Sequence, residues 1–240
     1  MKPELWKIPE VSVPEARLQE KFDELCQRLA QIQEKHKNIK FATSLAAEDM
    51  VLTDAIAKSQ AKIHLFTLET GRLHAQTVEM IDTVEKHYGF KIERLKPAQE
   101  DIDVYVKQYG LNGFYESEDA KKACCGFRKI KLLNQALSTA DAWLSGQRRE
   151  QAITRAELPF AETDEERHIS KYNPLFDWTE AEVWSYLQSR KVPIHPLHYQ
   201  GYPSIGCEPC TRAIKQGEDV RAGRWWWLQQ ENKECGLHVK

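Results

Sequence analysis

The stretch Ile39-Lys-Phe-Ala-Thr-Ser44-Leu-Ala-Ala-Glu-Asp49-Met-Val-Leu-Thr-Asp-Ala-Ile-Ala-Lys58 decides the fold. Residues 39–44 read as a short strand, and residues 49–58 as a helix with Met50, Val51 and Ile56 facing inward. Between them, Ser44 to Asp49 form a strand-to-helix turn, where backbone N–H groups and the helix dipole can cradle a phosphate. An ordinary turn capped by Ser44 or Glu48 fits the same residues.

The pattern recurs outward from that stretch. Strands are expected at 63–68, 91–95 and 142–145, and helices at 74–88 and 101–109. Such alternation implies an α/β fold, a mostly parallel twisted sheet flanked by helices, with ligands beyond the carboxyl ends of the strands. Upstream, residues 14–36 form an amphipathic helix with Leu18, Phe22, Leu25, Leu29 and Ile32 in one stripe. Cys26 lies beside that stripe and is expected to be a small core residue.

Downstream, Pro159–Glu166 reads as an acidic loop, and residues 179–189 as a helix with Thr179 as N-cap and Glu182 three residues on. Residues 191–206, rich in Pro, His, Tyr and Gly, read as irregular. The expected organisation is a single domain over residues 1–228, its first 37 residues a helical segment, followed by a mobile polar tail over 229–240.

The net charge of -2 gives no global reason to expect nucleic acid or an acidic membrane surface as partner, so any anion site must come from local Arg and Lys clustering. No signal peptide is read at the N-terminus, and no run approaches the ~20 apolar residues that span a bilayer. The expected compartment is the cytoplasm, where thiols stay reduced, so the six cysteines point to metal or catalysis before disulfides.

Cys207-Glu-Pro-Cys210 brings two thiolates close enough to share a metal centre, while Cys124-Cys125 is a vicinal pair that closes a relaxed disulfide poorly. Spacing alone leaves an iron–sulfur cluster, zinc and unrelated thiols open. Cys235 stands apart, five residues before the end, with Gly236 leaving its sulfur sterically accessible. A surface thiol and a nucleophile on a tail both fit it.

Anion-binding candidates gather on one edge. Thr70-Gly-Arg72 follows the second strand and Ser145-Gly146-Gln-Arg148-Arg149 follows the last clear one, while Lys129, Arg221 and Arg224 flank the cysteine pairs. The run Trp225-Trp-Trp227 cannot present all three rings to one surface if helical, so at least one is expected in the core.

Six motifs together resemble the assimilatory sulfonucleotide reductases, specifically the cluster-containing adenylylsulfate (APS) reductases. They are Glu69-Thr-Gly-Arg-Leu-His74, Cys124-Cys-Gly-Phe-Arg-Lys129, Gly146-Gln-Arg-Arg-Glu-Gln151, Gly206-Cys-Glu-Pro-Cys210, the run Gly217 to Trp227, and Glu234-Cys-Gly-Leu-His238. The resemblance implies an adenine nucleotide alpha-hydrolase-like fold and thioredoxin-dependent reduction of APS to sulfite and AMP, through an S-sulfocysteine on Cys235. It implies a 4Fe–4S cluster on Cys124, Cys125, Cys207 and Cys210, with Lys129 between cluster and sulfate. It further implies that Arg148 or Arg149, Arg221 and Arg224 bind phosphate and sulfate oxygens. Ser44 and its loop, with backbone groups of Leu68 and Gly146, would hold the adenosine and its phosphate.

One departure stands in the first loop, where such reductases commonly carry Gly and this chain has Ala46; alanine tolerates positive φ poorly. Rival readings are reduction of the 3′-phosphorylated nucleotide (PAPS), tRNA thiolation, and a zinc-stapled binding module. A homo-oligomer is compatible with the sequence.

Overall fold

A computed structural model describes residues 4–228, so Cys235 and the expected tail lie outside the described residues. The expected strands form β1 (Ile39–Ala42), β2 (His64–Leu68), β3 (Glu93–Leu95) and β4 (Ala142–Leu144). Two more strands follow, β5 (Ala161–Asp164) and β6 (Ile169–Tyr172), giving the order β3-β2-β1-β4-β6-β5. Every neighbouring pair is parallel except β5 with β6.

The chain runs outward from β1 to β2 and β3, then returns to place β4 on the other side of β1. The crossover between β1 and β4 is the point at which open α/β sheets receive ligands.

Helix α1 (Glu15–Lys35) buries Leu18, Leu25, Leu29 and Ile32, the expected stripe. Phe22 sits half-buried, its ring stacked 5.9 Å from Tyr186. Cys26 is half-buried, not a full core residue. Helix α2 (Ala47–Ser59) is apolar over most of its surface because it lies under both α1 and α7 (Glu180–Ser189). The α7 capping box forms as its sequence indicates: Glu182 N–H donates to Thr179 Oγ1 at 3.1 Å, and Thr179 N–H to Glu182 Oε2 at 2.9 Å. Helices α3 (Ala75–Tyr88) and α4 (Gln99–Tyr109) complete the repeating part.

The acidic stretch expected to be a loop is instead the edge strand β5. Its polar residues have partners within the sheet: Lys171 Nζ on β6 lies 3.0 Å from Glu162, and Asp164 accepts from Nε1 of Trp143 on β4 at 3.0 Å. Pairing replaces the alternating apolar signal that sequence reading relies on. Helix α5 (Glu118–Cys125) and helix α6 (Lys131–Leu137) are joined by a π-turn over Gly126–Ile130. The three tryptophans are not helical: Trp225 is buried in a left-handed conformation (φ 41°), while Trp226 is exposed.

Residues near the start clasp a late loop. Trp6 N–H donates to Ile214 O and Gln216 N–H to Glu4 O, both at 2.9 Å, around an antiparallel bridge between Leu5 and Lys215.

Candidate functional site

The diverging carboxyl ends of β1 and β4 open a cavity of about 310 Å³, at the lower end for small-molecule pockets. From the β1 side, Ser44 donates to Asp49 Oδ2 from both its N–H and its hydroxyl, each at 2.6 Å. From the β4 side, Gly146 abuts the same carboxylate so closely that a Cβ would collide with Asp49 Oδ1. Burial pushes the Asp49 carboxyl up to about 6 against the opposing pull of these hydrogen bonds.

The loop bends at Leu45, not Ala46. Leu45 carries φ 62° and is fully buried, whereas Ala46 is extended (φ -75°, ψ 174°). Alanine is therefore unstrained at 46, and the positive φ expected of a glycine is borne one residue earlier by a packed leucine.

The cavity brings together Ser44, Leu68, Lys129, Gly146, Arg148, Arg221, Arg224 and Cys207. Arg72 and Arg149 are not among its lining residues. Arg72 bonds Leu111 O and Asn112 Oδ1 and lies 5.4 Å from the Phe114 ring. Arg149 bonds Leu158 O at 2.9 Å and lies 4.7 Å from the Phe176 ring.

Arg148 lines the cavity but is held by Glu48, to which its Nε and Nη2 donate at 3.0 and 2.8 Å. Burial alone would raise the Glu48 pKa; the charge and hydrogen bonds of Arg148 outweigh it and hold the carboxyl below its usual range. The remaining basic lining, Lys129, Arg221 and Arg224, accompanies Cys207.

The cysteine pairs arrive from different directions. Cys124 and Cys125 end α5 where it passes into the π-turn that carries Arg128 and Lys129, a local insertion common at functional sites. Cys207 and Cys210 bracket a short 3₁₀ turn. That turn is fastened to the loop after β2 by a Leu73–Cys207 bridge and by Glu208 N–H donating to Arg72 O at 2.8 Å. Thr70 Oγ1 lies 3.2 Å from Cys207 Sγ.

Burial, then the neighbouring Cys207, pushes the Cys210 thiol up to about 12. Cys124 is raised first by burial, with Arg128 opposing and Cys207 adding. Cys124 and Cys210 thus both feel Cys207, and no disulfide links the described cysteines. Yet no three thiol, imidazole or carboxylate groups among the described residues converge as a single metal ion requires. Four cysteine thiols from two segments are a donor set that both zinc and iron–sulfur centres use.

Residues 38–213 match the model of the phosphoadenosine phosphosulfate reductase domain. The chain belongs to that family. Two curated members named adenosine 5′-phosphosulfate reductase are similar to this reductase-family chain over most of their lengths. The Burkholderia cepacia protein is 58% identical over 219 residues, covering 91% of this chain and 88% of that one. The protein from Neisseria meningitidis serogroup B is 53% identical over 239 residues, covering 99% and 97%. Among solved structures, the phosphoadenylyl-sulfate (PAPS) reductase of Candida auris in a phosphate complex aligns with a TM-score of 0.68 at 24% identity, over 85% of this chain and 100% of that one; this likeness shows the fold.

Sequence reading of this reductase-family chain does not reveal Asp49 as the hub of the first loop, Thr70 against Cys207, buried Arg128, or Gly206, where a Cβ would collide with the Arg224 guanidinium. Arg128 and Gly206 stood inside motifs that drew notice for their cysteines. The Asp49 and Thr70 contacts join segments far apart in sequence, or atoms within one turn, and have no periodic signal.

Proposed function

We propose that this protein reduces adenosine 5′-phosphosulfate (APS) to sulfite and AMP in assimilatory sulfate reduction, with thioredoxin as reductant. The observation that carries this reading is the cavity at the β1/β4 crossover, walled by Ser44 and Gly146 and lined also by Lys129, Arg221, Arg224 and Cys207.

In this scheme the Cys235 thiolate attacks the sulfur of APS and the bond from sulfur to the bridging phosphate oxygen breaks, so that AMP leaves. Lys129, Arg221 and Arg224 stabilise charge growing on the sulfate and phosphate oxygens, and Ser44 and Gly146 hold the adenylate end. A thioredoxin thiolate then attacks the Cys235 sulfur and expels sulfite; the second thioredoxin thiol resolves the mixed disulfide, supplying the second of the two electrons.

Cys124, Cys125, Cys207 and Cys210 would hold a 4Fe–4S cluster. When bound, it would fix the two cysteine segments and tune the field at the anion-binding end. Ligation takes thiolates, so binding the cluster would release the protons of these thiols.

The test is incubation of the anaerobic protein with sulfur-labelled APS. The parent should acquire one sulfonate on Cys235 without thioredoxin and release sulfite with it. Cys235→Ser should do neither, and sulfite release from that variant at the parent's rate would overturn the scheme. Parallel turnover of APS and PAPS decides between the nucleotides.

A further inference from the structure

Arginine has a long side chain with many rotamers, so an arginine that must meet an anion in one attitude needs outside support. Arg224 has an unusual amount. Its Nη1 donates to Ser204 Oγ and Ile205 O, both at 3.2 Å. Its guanidinium carbon lies 4.5 Å from the centre of the Trp225 ring. At Gly206, a Cβ would stand 2.5 Å from Nη2 and 2.8 Å from that carbon, so only glycine lets the guanidinium lie against the backbone there.

Trp225 is itself anchored. It is 1% exposed, its backbone N–H donates to Cys210 O at 3.0 Å, and Lys121 Nζ lies 4.5 Å from the same ring. Its φ of 41° is costly for an aromatic residue and persists only where the surroundings over-determine it. Arg224 lines the cavity, whereas Trp225 is not among the lining residues.

We propose that Trp225 and Gly206 are positioning residues that clamp the Arg224 guanidinium in its anion-binding attitude, the indole on one part of it and bare backbone on another. The inference rests on the reading of Arg224 as an oxyanion ligand for APS. It assigns the tryptophan an electrostatic role in addition to packing, since a cation over an indole is held more tightly than over an aliphatic surface.

The experiment measures APS affinity of anaerobic protein for Trp225→Leu, Trp225→Phe and Gly206→Ala, with and without Arg224→Gln, on variants that keep the parent's iron content. Trp225→Leu and Gly206→Ala should each weaken binding about tenfold, a change the strength of a desolvated cation–π contact allows. Trp225→Phe should recover to within about threefold. In the Arg224→Gln background, Trp225→Leu should change affinity less than about twofold, because the group it acts through is gone. Undiminished binding by Gly206→Ala and Trp225→Leu would overturn the inference, as would a full effect of Trp225→Leu without Arg224. Gly206→Ala serves if Trp225→Leu fails to fold, because it leaves the indole in place. Inorganic sulfate, read by its protection against thermal unfolding, separates the two claims. A parent that ignores APS but is protected by sulfate overturns the proposed function alone. Equal protection of parent and Trp225→Leu overturns the positioning role.

Discussion

Arg148 lies in the cavity wall with its guanidinium committed to Glu48, and that commitment decides what its removal does. Arg148→Ala would strand a carboxylate that is only 17% exposed, so it should cost about 3 kcal/mol of folding stability in urea titration. A stability equal to the parent's would show that Glu48 does not depend on it. At Gly146 the expected damage is to binding: Gly146→Ala drives a methyl into Asp49 and should weaken AMP binding more than about tenfold by calorimetry. Ala46→Gly should bring no benefit. Its extended backbone gains nothing from glycine, and urea unfolding should show a loss of about 0.5–1 kcal/mol from added freedom in the unfolded chain. The residue type at 46 was visible in the sequence. The positive φ was not, because a buried leucine carries it.

At the scale of elements, the strap over residues 195–208 that leads into the Cys207 turn is held by two buried histidines. His195 Nε2 pairs with Thr77 Oγ1 at 2.9 Å while its Nδ1 accepts from Leu197 N–H at 3.2 Å, and His198 Nδ1 donates to Tyr202 O at 2.8 Å. Burial first, then the neighbouring imidazoles, lowers His195 to about 3; burial lowers His198 to about 4. Both are neutral when folded, so below about pH 6.5 the unfolded chain binds more protons and stability falls as pH drops toward 4. Asp49, raised to about 6, contributes in the opposite sense over a narrower span. The thermal midpoint should therefore fall from pH 6.5 to 4, and His195→Asn, whose Oδ1 can take over from Nδ1 as acceptor for Leu197 N–H, should flatten the fall; an unchanged slope would refute the assignment. Residues 191–206 read as irregular from their Pro, His, Tyr and Gly content, and so they are apart from the 3₁₀ turn Pro196–Gln200. What escaped sequence reading was β5 with β6, where Lys171 and Glu162 pair inside a sheet in place of apolar alternation.

At the scale of the whole molecule, the strand–helix alternation announced the parallel sheet and the edge on which ligands sit. The strand order, which sets the crossover between β1 and β4, depends on pairings that no local pattern encodes. The same limit governs the cysteines, legible as two pairs but not as neighbours. If they hold a cluster, iron chelation should bleach the anaerobic protein and lower its thermal midpoint, and Cys210→Ser should be isolated with little iron. A parent that is colourless and contains zinc would exclude the cluster. Finally, the clasp between residues 4–6 and 214–216 sets a schedule for the chain's making. Its two halves leave the ribosome roughly two hundred residues apart, about 10–40 s at typical rates of synthesis. The loop after residue 211, with Arg221 and Arg224, is made together with the second half of the clasp, so a nascent chain acquires these anion-binding arginines only as the ring of contacts shuts.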